Sequence, residues 1–491
     1  MKMDPIGTIT CYFPLIEEET KNVLESTMAE ASDYYDFVHR LCELVLKSDS
    51  PIMVVYFAIH HCILAMDYKP IEMIREKYGG HTVLGPNLFI SSAYQGTVED
   101  VKKVYELADA VLATEPEDWL ALEMHFMKFE ADMRNYPQVM YSTSNMDKIQ
   151  ELIASDPRLG YYEIVLNDYL AIRAHADGDT EERIRCIERG IEVAEKFDDR
   201  LRLVYFLTRK AHIVSDTNRA ESKKLLEQAY QIVDTSVGTP AFFAEVLDRL
   251  SALDTIRGEY SRAITRYLQV VSIRERAGLN TGNASLALST MYNVVGEFQS
   301  GLEWGQMAED QFKSRPYLIN RAVLNQIWSL ILLKRQIEAQ ALLDTSRESI
   351  LKSGDESQLA WLNFVTGILE TEQGDFQLAS SSIEEALRIY EQQGWAYQIQ
   401  LIFLLHLAKI DVFSSESPDA ITPSLAILED KAVSEDLPGI LGEVLLLKAE
   451  LAIKNNDDAQ LREIVQQLRE LSEKEKLQFL KPYFDRLMEK L

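Results

Sequence analysis

After the turn Gly374-Asp375-Phe376, the residues Ile383, Ala386, Leu387 and Tyr390 fall three or four positions apart. That is the spacing of a helix with one apolar face. Before the turn, Trp361, Leu362, Phe364, Gly367 and Leu369 form a second apolar run. The two runs predict a helical hairpin. Similar pairs surround Gly258-Glu259-Tyr260, followed by Ala263, Ile264, Tyr267 and Val271, and Gly296-Glu297-Phe298. Another lies at Gly178-Asp179-Thr180, followed by Ile184, Ile187, Ile191 and Ala194. No window alternates apolar and polar residues convincingly, so almost no strand is expected.

The turns recur. Register marks fall at Gly96, Asn135, Gly178, Thr217, Gly258, Gly296, Lys334, Gly374, Ser414 and Lys454, nine intervals of about 40 residues. Glycine suits the left-handed residue that ends a helix before a tight turn. Pro116, Pro157, Pro240, Pro316 and Pro438 lie between the hairpins, about one, two, two and three periods apart. Proline breaks a helix interior but suits a connection. Two signals of different physical origin therefore give one register, and a repeat of helix pairs predicts a stacked solenoid.

The units resemble tetratricopeptide repeats. Gly367, Gly374-Asp375-Phe376, Ala379 and Ala386 match that family's pattern of small residues around a Gly-acid-aromatic turn. Gly258-Glu259-Tyr260 with Ser251 and Ala263, and Gly296-Glu297-Phe298 with Ser289, Gly301 and Ala308, are further copies. The common period of the family is about 34 residues. The longer spacing here is similar to the long-helix variants found in MalT-like bacterial regulators. The resemblance spans residues 86–491 and implies an all-α, right-handed α-solenoid of stacked antiparallel helix pairs. It also implies that first helices line a concave groove for a peptide or protein. On that register Arg249, Asn283, Asn293, Arg321, Asn325, Trp328 and Trp361 fall on or near the groove. Asn can bond a peptide backbone, Arg a carboxylate, and Trp offers rigid apolar contact. For both tryptophans, packing between helices is the competing expectation. The family's carboxylate clamp of Lys, Asn and Arg is not reproduced.

Residues 1–85 depart from the repeat. Glu17–Glu30, Asp33–Leu46, Ile52–Met66 and Pro70–Lys77 read as four helices, with Ser32-Asp33 at an N-terminus and Gly79-Gly80 as a stop. They form a cap over the first apolar face of the array or a small helical domain. At the other end, Leu461–Leu471 and Leu477–Leu491 supply closing helices, with Pro482 starting a turn or a kink.

Charge narrows the partners. The chain of 491 residues carries 78 acidic and 50 basic side chains, a formal net charge of −28. Such a surface repels phosphate backbones and anionic lipid. No nucleic-acid or membrane partner is expected, and a basic or amphipathic protein segment fits better. The same acidity also serves simply to keep a long array in solution. Cys11, Cys42, Cys62 and Cys186 are scattered and without a CxxC, as in a reduced, cytoplasmic protein. The start of the chain lacks a signal-peptide pattern, and Ile52–Met66 is too short to cross a bilayer.

Candidate chemistry is sparse. In His60-His61-Cys62, adjacent helical residues point about 100° apart and cannot easily share one metal ion. One partly buried and one exposed histidine is the expectation there. There is no HExxH, GxSxG, P-loop or GxGxxG. Gly79-Gly80-His81-Thr82 reads as a helix-ending turn, and runs such as Glu17-Glu18-Glu19 as solvated faces. Tyr34, Tyr35, Tyr161 and Tyr162 are candidates for exposed aromatic patches or for ordinary packing. No cofactor, no metal and no catalytic residue are expected. The leading expectation is a non-catalytic interaction scaffold. The alternative is a ligand- or peptide-sensing regulatory module, and a catalytic site within residues 1–85 ranks third.

Overall fold

The computed structural model describes residues 7–94, 102–134, 143–215, 218–313, 316–393, 397–414, 423–434, 437–475 and 487. Among them every regular element is helical and none is a strand. The marks Gly96, Asn135 and Thr217 and the proposed turn at Pro482 lie outside the described residues. The fold is all-α, built from antiparallel pairs of consecutive helices that stack one pair on the next.

The turn chemistry explains the pairs. Gly178, Gly258, Gly296 and Gly374 take φ between +75° and +87°, and Lys334 takes the same left-handed geometry at +62°. Each follows the first helix of a pair. Ser414 is the last residue of the helix Tyr397–Ser414. The helix predicted to end near Lys454 does end there, but Asn456 is the left-handed residue. Pro240, Pro316 and Pro438 each open a helix, Pro240–Ile256, Pro316–Leu332 and Pro438–Lys454. At that position the missing N–H costs nothing and φ is already helical. Asp179, Asp199 and Asp355 cap the helices Thr180–Lys196, Arg200–Val214 and Glu356–Gln373 by accepting backbone N–H groups.

Packing follows the small residues. The helix Glu356–Gln373 packs along Phe376–Gln393, and an added Cβ on Gly367 would meet Ile383 Cγ1 at 2.6 Å and Ala379 O at 2.9 Å. Ala379, Ile383, Ala386 and Tyr390 are all buried on that face. First helices also meet one another across the stack: Gly282–Val294 touches Pro316–Leu332, which touches Glu356–Gln373.

The chain divides into two compact units, residues 1–246 and 247–491. In unit 1 the helices Glu18–Glu30, Tyr34–Lys47, Ile52–Leu64 and Lys69–Tyr78 match the four expected before residue 85 to within two residues at each end. A short helix, Gly7–Thr10, precedes them. It docks on Arg200–Val214, with Gly7 N donating to Asp198 O at 2.9 Å. The segment Val233–Val237 packs against Tyr34–Lys47, and Gly238 fits closely over the Asp33 carboxylate. The early and late helices of unit 1 thus meet.

Unit 2 closes likewise. Gly439 N donates to Arg257 O at 3.1 Å, and a Cβ added to Gly439 would lie 2.2 Å from the Gly258 Cα. The helix Pro438–Lys454 is thereby bonded to the end of Pro240–Ile256. A core of Trp328, Trp361, Phe364 and Phe403 runs through the unit.

Candidate functional site

The predicted groove residues separate in unit 2. Trp361 is core, its Nε1 donating to Tyr390 Oη at 3.0 Å. Asn325 is buried, accepting from Thr290 Oγ1 at 3.0 Å and donating to the Arg321 carbonyl at 3.3 Å. Arg321 is partly buried, with its charge felt at Tyr390, and Arg249 is partly buried near Tyr267. Asn283 is exposed. Only Asn293 and Trp328 come to one cavity, of about 100 Å³, with Thr255, Tyr260, His406 and Lys409. There Asn293 Oδ1 accepts from Ser329 Oγ at 2.9 Å. Asn293 Nδ2 and Trp328 Nε1 are buried without a hydrogen-bond partner.

The larger cavity is in unit 1, about 300 Å³. Its walls come from the inward faces of Ile52–Leu64, Gly85–Tyr94, Asp118–Arg134, Glu163–Ala176, Arg200–Val214 and Pro240–Ile256. The His60-His61 expectation fails here, because neither histidine is exposed. His61 is fully buried with Nδ1 3.0 Å from Tyr34 Oη, and His60 lines the cavity. Tyr34, Tyr161 and Tyr162 are also buried and form no exposed patch. Each lies on an inward face that the closing of unit 1 covers.

The polar groups of this cavity form a chain. Tyr12 Oη lies 2.8 Å from His60 Nε2 and donates to Glu123 Oε1 at 3.3 Å. Tyr162 Oη donates to the same Glu123 oxygen at 2.8 Å. His60 Nδ1 stands 3.9 Å from Glu123 Oε2. Burial pushes the His60 pKa below its ordinary value, against the pull of Glu123 and with the help of Arg202. The imidazole is therefore neutral near pH 7. Burial likewise raises the Tyr12 and Tyr162 phenols, which remain protonated donors.

Behind the lining, Asp199 accepts from Tyr161 Oη at 2.7 Å, from the Arg202 backbone N–H at 3.0 Å and from the Thr8 hydroxyl. Asp168 accepts from Tyr205 Oη at 3.0 Å and pairs with Arg209. Arg202 lines the cavity with its Nε buried and unpartnered. Burial disfavours its charge, but Tyr161, Asp168, Asp199 and Tyr205 outweigh that and hold its pKa above the usual value. The rest of the wall is apolar and aromatic, with Phe126 stacked on Tyr162 at 5.9 Å and on Tyr169 at 5.6 Å. A mostly apolar hollow with a few fixed polar groups is the usual form of a small-ligand site. Among the described residues no group of three His, Cys, Asp or Glu is placed to hold a metal ion. None of the described helices is long and apolar enough to cross a membrane.

No protein-family model matches the sequence, and no curated protein matches it. Among solved structures the chain is similar to the apo form of RapI, at 13% identity and a TM-score of 0.48, over 80% of this chain and 98% of that one. A Rap protein complexed with Competence and Sporulation Factor gives the same identity and score over 67% and 97% of the two chains. A signal-transduction ATPase with a tetratricopeptide-repeat sensor from Pyrococcus horikoshii gives 16% and 0.42, over 86% and 55%. The fold assignment rests on the helix pairs and left-handed turn residues of this chain itself.

Proposed function

We propose that the protein is a non-catalytic, tetratricopeptide-like regulatory module that senses a small ligand in the inner cavity of unit 1. The cavity itself carries this reading, since its size, about 300 Å³, falls at the lower end of ligand pockets. Asn87, Glu123, Asp168 and Arg202 sit on four different helices that each open a pair, so an occupant would touch several repeats at once. Ligand binding would then favour one arrangement of those helices over another. The test is thermal denaturation of the full chain across a panel of small metabolites and short peptides. A true ligand raises the midpoint with concentration, and Val165→Trp, which fills the cavity wall, abolishes the shift. Stabilisation only by ligands that bind Val165→Trp equally well would overturn the proposal.

A protein-binding scaffold is the second reading, and a separate surface favours it. Ile337 and Leu378, one repeat apart on the second helices Gln336–Ser353 and Phe376–Gln393, are 87% and 59% exposed. With the acidic surface, they suit a basic or amphipathic partner. A partner captured by the wild type and released by Ile337→Lys with Leu378→Lys would support it.

A further inference from the structure

Two charges in the unit 1 cavity lack a direct counter-ion. Glu123 is buried, and its carboxylate is held by two tyrosine hydroxyls and by an imidazole 3.9 Å away. Burial keeps that imidazole neutral, so it does not balance the carboxylate. Arg202 lines the same cavity with its Nε buried and without a hydrogen-bond partner among the described residues, its charge offset by Asp168 and Asp199 without a direct ion pair. Asn87 Nδ2, on the same lining, is buried beside the Tyr56 hydroxyl without a hydrogen bond of good geometry. The neighbouring charges differ. Asp168 is paired with Arg209, and Asp199 accepts from three donors.

A buried charged group with unfilled hydrogen-bonding positions is less well held than one in direct contact with its counter-ion, and an occupant that supplies the opposite charge removes that deficit. A simple anion would satisfy Arg202 but meet the Glu123 carboxylate. A simple cation would satisfy Glu123 but meet Arg202. A molecule with both charges satisfies both. The aromatic wall of Tyr12, Tyr162, Phe126 and Tyr169 adds ring faces that attract an ammonium group and accept an apolar body. The volume admits something the size of a single amino acid.

Resting on the reading of unit 1 as a ligand sensor, we propose that this cavity binds a free α-amino acid with a large apolar side chain. The ammonium faces Glu123, and the carboxylate faces Arg202 with Asn87 Nδ2 as a second donor. The side chain lies along the aromatic wall.

Isothermal titration of the full chain with L-phenylalanine, 3-phenylpropionate and 2-phenylethylamine tests this. The zwitterion is expected to bind roughly tenfold or more tightly than either single-charge analogue. Glu123→Gln should weaken L-phenylalanine by a similar factor and leave 3-phenylpropionate unweakened. Arg202→Met should weaken L-phenylalanine and leave 2-phenylethylamine unweakened. The wild-type comparison needs no variant, so it stands even if a substitution disturbs folding. An analogue that equals L-phenylalanine, or no binding by any of the three, overturns the proposal. Tighter binding of leucyl-leucine than of L-phenylalanine overturns the free amino acid in favour of a peptide. If the melting panel yields a ligand without both charges whose effect Val165→Trp abolishes, this inference falls and the sensing function stands.

Discussion

His406 shows how the interior treats an ionisable group. It packs against Trp328 and Phe364 with ring centroids 5.7 and 5.0 Å away, and its Nδ1 lies 2.9 Å from Ile402 O. Burial, reinforced by Lys409, pushes its pKa down to about 3. An unfolded histidine titrates near pH 6.5. Between these values the unfolded chain binds the extra proton, so its stabilising share is complete above pH 6.5 and is lost as pH falls towards 3. The loss approaches about 1.4 kcal/mol per pH unit well below 6.5. Denaturant melts from pH 7.5 to 5 should show falling stability, and His406→Gln should flatten part of that slope. An unchanged slope in the variant would contradict the buried neutral assignment. At this scale the sequence was only partly legible. Trp328 and Trp361 share a residue type and one core, yet Trp361 donates to Tyr390 and Trp328 has no partner for its Nε1. Glu123 and Arg202 lie far apart in the chain, and no spacing rule links them. The one faint signal is a carboxylate inside the apolar run Leu120–Phe126.

At the scale of elements the pattern was far more legible, because turns and prolines have local causes. The left-handed residue recurs more regularly than glycine does. Lys334, at φ +62°, occupies a position that Gly258, Gly296 and Gly374 hold in other pairs. A side chain in that geometry costs about 1–2 kcal/mol, of which the greater flexibility of unfolded glycine cancels part. Lys334→Gly is therefore expected to stabilise the protein by about 0.5–1 kcal/mol. The exposed ion pair between Lys334 and Glu372 takes little away. Chemical denaturation measures the difference, and a destabilised variant would refute the account of this turn. The helix Gly7–Thr10 escaped notice because it is too short to display a period. It is held by its contacts with Arg200–Val214 rather than by its own pattern.

For each whole unit, sequence periodicity specifies neighbours and says nothing about ends. Closure depends on two glycines, Gly258 and Gly439, whose backbones touch. Glycine at a helix-ending turn, as Gly258, or at a helix start, as Gly439, has many ordinary explanations, so neither residue points to the contact. Gly439→Ala puts a methyl against the Gly258 backbone and should cost roughly 1–3 kcal/mol by overpacking. A melt identical to wild type would mean that the two ends do not meet in solution.

That contact changes how unit 2 should come apart. In an open array, stability is nearly a sum over adjacent repeats, and the terminal ones fray first. The hydrogen bond from Gly439 N to Arg257 O joins segments remote in sequence, so the repeats between them cannot peel away in turn without first breaking it. Closing so long a loop carries an entropy cost before any contact rewards it. Unit 2 should consequently fold more slowly than an open stack of equal length, and lose its structure in a single cooperative step.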